Sequence, residues 1–99
     1  MPVNLETLVL ATTRGNAEAY GKLVDETSPL VSSIALAIVR DLELSRDIAQ
    51  DVFLSVWRDL KNLRNPASFL HWLRQTVRNR AKTALRTRAA AKGRAGSAG

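Results

Sequence analysis

The spacing of apolar residues constrains the fold of this chain most: it follows helical intervals in each long segment, and no useful stretch alternates as a strand would. Asp47 to Trp57 is the clearest case. At roughly 100° per residue, Ile48, Val52, Val56 and Leu60 gather on one side, with Phe53 at the flank and Trp57 further round. Asp47, Gln50, Asp51 and Arg58 lie opposite, and Leu54 sits among them. A single exposed leucine is ordinary on a protein surface. Between Gln50 and Asp51, however, Leu54 makes a small patch with one apolar knob and acceptors on either side, a pattern suited to docking.

The same reading organises the rest of the chain as all-α, a compact bundle of about four helices followed by a flexible basic tail. Asn4 caps a first helix through about Thr13, and Gly15 suits its left-handed stop. Asn16 caps a second helix bearing Ala19, Tyr20, Leu23 and Val24. Pro29 is expected to bend or restart it before Val31, Ile34, Ala35, Ile38 and Val39. Arg40 to Leu44 reads as a polar connection, with Ser45 as the cap of a third helix ending near Lys61. Asp47 and Asp51 then fall in its first turns, where the helix dipole favours them. After the loop Asn62-Leu63-Arg64-Asn65, Asn65 and Pro66 form the cap and first position of a fourth helix. Its buried face is Phe69, Trp72, Leu73, Thr76, Val77, Ala84 and Leu85, and its outer face is His71, Arg74, Gln75, Arg78, Asn79, Lys82 and Arg86. Arg80 falls on the inward sector, so burial is expected to weaken beyond Val77. Residues 1–88 form the expected domain, and 89–99, rich in Ala, Gly and basic residues, the flexible tail.

Charge divides the chain sharply. Met1 to Pro66 holds seven Lys or Arg against all nine acids, a net −2, whereas Ala67 to Gly99 holds eight and no acid, a net +8. Such a block is an electrostatic footprint for a polyanion: nucleic acid first, an anionic membrane surface next, with a merely solubilising tail as the plain alternative. Arg74, Arg78, Lys82 and Arg86 recur every four residues, a stripe that can follow a phosphate backbone. Gln75 and Asn79 beside it offer amides for base edges. The preceding loop, with Asn62, Arg64 and Asn65, either connects two helices or receives an unstacked base.

Catalysis is not legible. No nucleophile lies beside a base and no group of metal ligands is apparent, so neither cofactor nor small-molecule substrate is expected. Arg14-Gly15-Asn16 lacks the glycine spacing and Lys-Ser/Thr sequel of a phosphate loop. There is no cysteine, no apolar run long enough to span a bilayer and no signal-peptide pattern, so a cytoplasmic location is expected.

Four motifs in order, Gly15-Asn16-x-x-Ala19-Tyr20, Ser28-Pro29, Asp47-x-x-Gln50-Asp51-x-Phe53-Leu54-x-x-Trp57 and Phe69-x-x-Trp72-Leu73-x-x-x-Val77-Arg78-Asn79, carry a resemblance. From about Leu8 to Arg88 the chain resembles the region-two domain of bacterial sigma factors of the extracytoplasmic-function class. The resemblance implies docking on the clamp helices of the β′ subunit of RNA polymerase and recognition of the minus-ten promoter element during DNA opening. By position, docking falls on Asp47, Gln50, Asp51 and Leu54, the face already singled out. Promoter contact falls on Asn62, Leu63, Arg64 and Asn65, then on Ser68, His71, Arg74, Gln75, Arg78, Asn79 and Lys82. In the family the loop holds an unstacked base of the non-template strand. Trp57 and Trp72 resemble core or flank aromatics rather than stacking platforms.

The chain departs from the family pattern in two places. Thr83 stands where the family usually has an acid, and nothing encodes the second helix-turn-helix domain that reads the minus-thirty-five element. Its Gly- and Ala-rich end resembles an interdomain linker cut short, so a fragment is expected rather than a natural single-domain variant. An anti-sigma factor is a further implied partner. The alternative is a helical interaction module bound by an anti-sigma or other acidic partner without touching DNA. A membrane-surface role for the basic helix would be weak, because few large apolar residues follow Trp72.

Overall fold

The computed structural model describes the backbone of residues 4–98 and the side-chain surroundings of residues 4–91. Among these residues there is no strand. The elements are α1 (Leu5–Thr13), α2 (Ala17–Val39), α3 (Leu42–Asp59), two short 3₁₀ turns (Leu60–Asn62 and Pro66–Ser68) and α4 (Phe69–Ala98). Side-chain caps set the starts. Asn4 Oδ1 accepts the Thr7 N–H at 3.3 Å, and Asn16 Oδ1 accepts that of Ala19 at 3.0 Å. Asn65 Oδ1 accepts the Ala67 N–H at 3.0 Å, but it caps the 3₁₀ turn Pro66–Ser68 rather than α4 itself, which begins at Phe69, three residues later than expected. Gly15, at φ +87°, makes the turn from α1 into α2.

One core joins the four helices. Val9 of α1, Leu23, Val31 and Ala35 of α2, Ile48, Val52 and Val56 of α3, and Phe69, Leu73, Val77 and Ala81 of α4 are buried together. Burying a Val, Leu or Phe side chain contributes about 1.5–3 kcal/mol, several times the helix-propensity difference among such residues. Packing therefore holds β-branched Val52, Val56 and Val77 in helix.

Several expectations are corrected. Of the two expected effects of Pro29, a bend or a restart, the restart does not occur, because α2 is continuous from Ala17 to Val39; the proline leaves the carbonyl of exposed Asp25 without a helical N–H. The third helix starts earlier than expected. Its cap is Asp41, whose Oδ1 accepts the Leu44 N–H at 3.1 Å, while Ser45 lies inside the first turns, buried, with its hydroxyl donating to the Leu42 carbonyl at 2.7 Å. The first-turn acid is thus Glu43, and Asp47 and Asp51 lie further along. α2 and α3 are joined by Arg40 and Asp41 alone, with Arg40 in the left-handed region at φ 53°.

Burial along α4 weakens one turn later than expected, after Ala81 rather than Val77. Ala81 is fully buried, Ala84 and Leu85 pack against the core, and Arg88 Nη2 pairs with Asp41 Oδ2 at 3.3 Å. Arg80 is drawn inward because its guanidinium donates to Ser55 Oγ at 2.7 Å. Helical backbone continues beyond Arg88 to Ala98, and Ala89 to Ala91 are exposed, so those three residues rest on the high intrinsic propensity of alanine rather than on core contacts.

Candidate docking and nucleic-acid surfaces

The inward turn of Ile48, Val52, Phe53 and Val56 forces Asp47, Gln50, Asp51 and Leu54 outward, and all four are exposed. Leu54 is 65% exposed, which is high for a leucine beside a well-filled core. Trp57 is also largely in solvent, with one edge against Tyr20 (centroids 4.9 Å apart, planes at 64°). The Tyr20 hydroxyl donates to the Phe53 carbonyl at 2.6 Å and ties α2 to the middle of α3. Burial pushes the Tyr20 phenol above its ordinary pKa.

Beside Leu54 the helices part into an open groove of about 680 Å³. Gly21, Val24 and Asp25 of α2 and Gln50, Phe53 and Leu54 of α3 are among the residues that line it. The groove and its α2 wall were missed in the sequence reading. The one local signal was Gly21, a glycine inside a helix with no turn to make.

The second surface is the outer side of α4. His71, Arg74, Gln75, Arg78, Asn79, Lys82 and Arg86 are all exposed, as the periodicity predicts. Among the described residues the ion pairs join Lys22 to Glu18, Arg58 to Asp59 and Arg88 to Asp41. The cations of the outer stripe take no part in them. Arg86 Nη2 instead donates to Thr83 Oγ1 at 3.3 Å. A neutral hydroxyl at that position leaves the Arg86 charge uncompensated.

The loop side chains are not equivalent. Asn62, Arg64 and Asn65 are exposed, although one lone pair of the Asn65 oxygen is engaged in capping. Leu63 and Ser68 are half-buried, and Leu63 packs against the core, anchoring the loop. Trp72 is half-buried at a tilt to Phe69, with centroids 6.1 Å apart.

Between the two surfaces lies a small polar junction. Ser55 Oγ, buried, accepts from Arg80 and, at 3.5 Å, from Arg58, whose guanidinium also grips Asp59 at 3.0 Å. That hydrogen bond from Arg58 holds the Asp59 carboxyl below the usual range and raises the Arg58 guanidinium. Arg80 is thereby drawn away from the outer cation stripe of α4. Among the described residues no three His, Cys, Asp or Glu side chains lie close enough to hold a metal, and no helix is long and apolar enough to cross a membrane. The arrangement offers recognition chemistry: apolar knob, acceptors, cations and amides.

Comparison with known proteins places this geometry in context. Residues 23–91 match the family described as Sigma-70 region 2. A probable RNA polymerase sigma factor RfaY of Xanthomonas campestris pv. campestris is 51% identical over 73 residues, covering 74% of this chain and 18% of the relative. The RNA polymerase sigma-H factor of Pseudomonas aeruginosa is 30% identical over 80 residues, covering 81% of this chain and 42% of the relative. The ECF RNA polymerase sigma factor SigK of Mycolicibacterium vanbaalenii is 32% identical over 89 residues, covering 88% and 45% respectively. The chain thus spans less than half the length of each of these relatives.

Proposed function

This chain belongs to the sigma-70 region 2 family, and on that premise we propose that it acts in transcription initiation. It docks through α3 on the β′ clamp helices of RNA polymerase and captures the non-template strand of the minus-ten promoter element on α4 and the loop before it. Asp47, Gln50 and Asp51 accept hydrogen bonds from the clamp helices, and Leu54 inserts as the apolar contact. Arg74, Arg78 and Lys82 position the DNA backbone, while Gln75, Asn79 and the loop amides face the bases. Residues 1–88 are the working unit and 89–99 a basic linker. The protein does no covalent chemistry, works in the cytoplasm with the polymerase, and is restrained by an anti-sigma factor that covers the Leu54 face.

Two observations carry this reading: a leucine exposed among acceptors on one helix and, on another, a cation stripe outside every ion pair among the described residues. Calorimetry of this chain with a purified β′ clamp-helix fragment tests the docking half. Wild type binds, and a Gln50→Ala, Leu54→Ala variant of unchanged helicity does not. A folded wild type that fails to bind refutes the docking. Anisotropy of a labelled single-stranded minus-ten oligonucleotide, with core polymerase present, tests the other half. Arg74→Glu with Arg78→Glu abolishes capture and leaves clamp binding intact. Unaltered capture by that variant would favour the interaction-module reading.

A further inference from the structure

The loop from Asn62 to Asn65 hangs between two 3₁₀ turns whose separation their own hydrogen bonds do not set. The Leu63 N–H donates to the Leu60 carbonyl at 3.0 Å, the Ser68 N–H to the Asn65 carbonyl at 2.9 Å and the Ala67 N–H to Asn65 Oδ1 at 3.0 Å. Each of these bonds closes within one turn, so it shapes that turn and leaves the gap between the two to packing.

α1 spans that gap. α3 packs on the first turn and α4 on the second, each beside its own chain continuation, whereas α1 packs on both from far earlier in the sequence. Its inward face is Leu5, Leu8, Val9 and Thr12, at helical spacing. Val9 and Thr12 are buried, and Leu5 and Leu8 are half-buried against the core that contains Leu60 and that Leu63 also joins. Neither leucine offers a hydrogen bond to a base, so an effect on DNA must pass through the loop.

We infer that α1 is a prop that sets the width of the loop, and that Leu5 and Leu8 are positioning residues for base selection by Asn62, Arg64 and Asn65. This rests on the reading of the loop as a site for an unstacked base and adds to it what holds that site open. Amides and a guanidinium must meet base edges within hydrogen-bond reach, which a shift of about 1 Å removes. The cations on the outer face of α4 are less demanding, because their attraction to a phosphate falls slowly with distance. α1 therefore governs which base is held more than how tightly the strand binds.

The test selects bound strands from a randomised single-stranded DNA library, with the chain on core polymerase, and then measures the salt dependence of affinity for the selected strand. Wild type enriches one base by about tenfold, the scale of a single read base, at the position that an Asn62→Ala, Arg64→Ala variant randomises. Leu8→Ala brings that ratio close to unity and leaves the salt slope unchanged, since the phosphate contacts are intact. Leu8→Met, of similar volume, restores the ratio. Val39→Ala truncates the core at the other end of α3, a helix of 18 residues and so about 27 Å long, and selects as wild type does. Equal loss in Val39→Ala would show general loosening and overturn the inference. Unchanged enrichment in Leu8→Ala and Leu5→Ala overturns it as well and spares the DNA reading; half-buried Leu5 decides where Leu8→Ala does not fold. A wild type that enriches no base overturns base capture itself, and the prop with it.

Discussion

Asp41 has two tasks in one carboxylate, and separating them tests where α3 begins. Oδ1 accepts the Leu44 N–H at 3.1 Å, and Oδ2 meets Arg88 Nη2 at 3.3 Å. An N-cap contributes about 1 kcal/mol. The ion pair, with side chains 33% and 42% exposed, is screened by solvent and contributes about 0.5 kcal/mol. Asp41→Ala therefore costs about 1.5 kcal/mol, a fall in midpoint of roughly 6–12 °C for a domain of this size. Asp41→Asn keeps the acceptor and loses the charge, so it costs only about 0.5 kcal/mol, and Arg88→Ala should match it. Ser45→Ala removes a hydroxyl that bonds the Leu42 carbonyl within its own turn, and stays within about 0.5 kcal/mol of wild type. Urea unfolding followed by circular dichroism resolves these differences when the denaturant slope is unchanged. A Ser45→Ala loss above about 1 kcal/mol beside a mild Asp41→Ala would place the helix start at Ser45 and refute the argument. An Asn variant as damaging as Ala would show that the charge, not the cap, carries the effect.

Tyr20→Phe removes a 2.6 Å hydrogen bond between helices and should cost about 1 kcal/mol. Because burial raises the Tyr20 pKa, its contribution is full below the ordinary phenol value near ~10 and is lost as pH rises through the folded value. Alkaline unfolding should accordingly be shallower in the Phe variant than in wild type; equal slopes would refute the assignment. Replacing Arg74, Arg78 or Lys82 with Ala should each lower the slope of log affinity for single-stranded DNA against log salt by about 0.7. Arg80→Ala should leave that slope unchanged and instead destabilise the fold by about 1–2 kcal/mol, because buried Ser55 loses its short donor. A slope change in Arg80→Ala would return that residue to the DNA face.

Properties that belong to a single helix were legible in the sequence. The exposure of Leu54 and the outer face of α4 follow from angle alone, the starts of α1 and α2 from Asn4 and Asn16, and the turn that leads into α4 from Asn65. The start of α3 was obscured because Asp41 and Ser45 are both competent caps. Leu42 between them is largely exposed, so no apolar stripe marked the first turn. Arg80 was read as weakening burial because the sequence does not reveal that Ser55, 25 residues away, waits opposite as an acceptor. The groove depends on Tyr20 and Phe53, 33 positions apart, holding α2 and α3 at one separation. A packing relation of that kind leaves no periodic trace.

The two-residue link of Arg40 and Asp41 between α2 and α3 has a kinetic consequence. Closing so short a loop costs little chain entropy, so these two helices are the pair expected to zip together earliest, and α4 docks later across a longer span. During synthesis the chain emerges from the ribosome in the same order. The acidic, groove-bearing hairpin therefore emerges before the basic helix does, and it is the first surface a partner can reach.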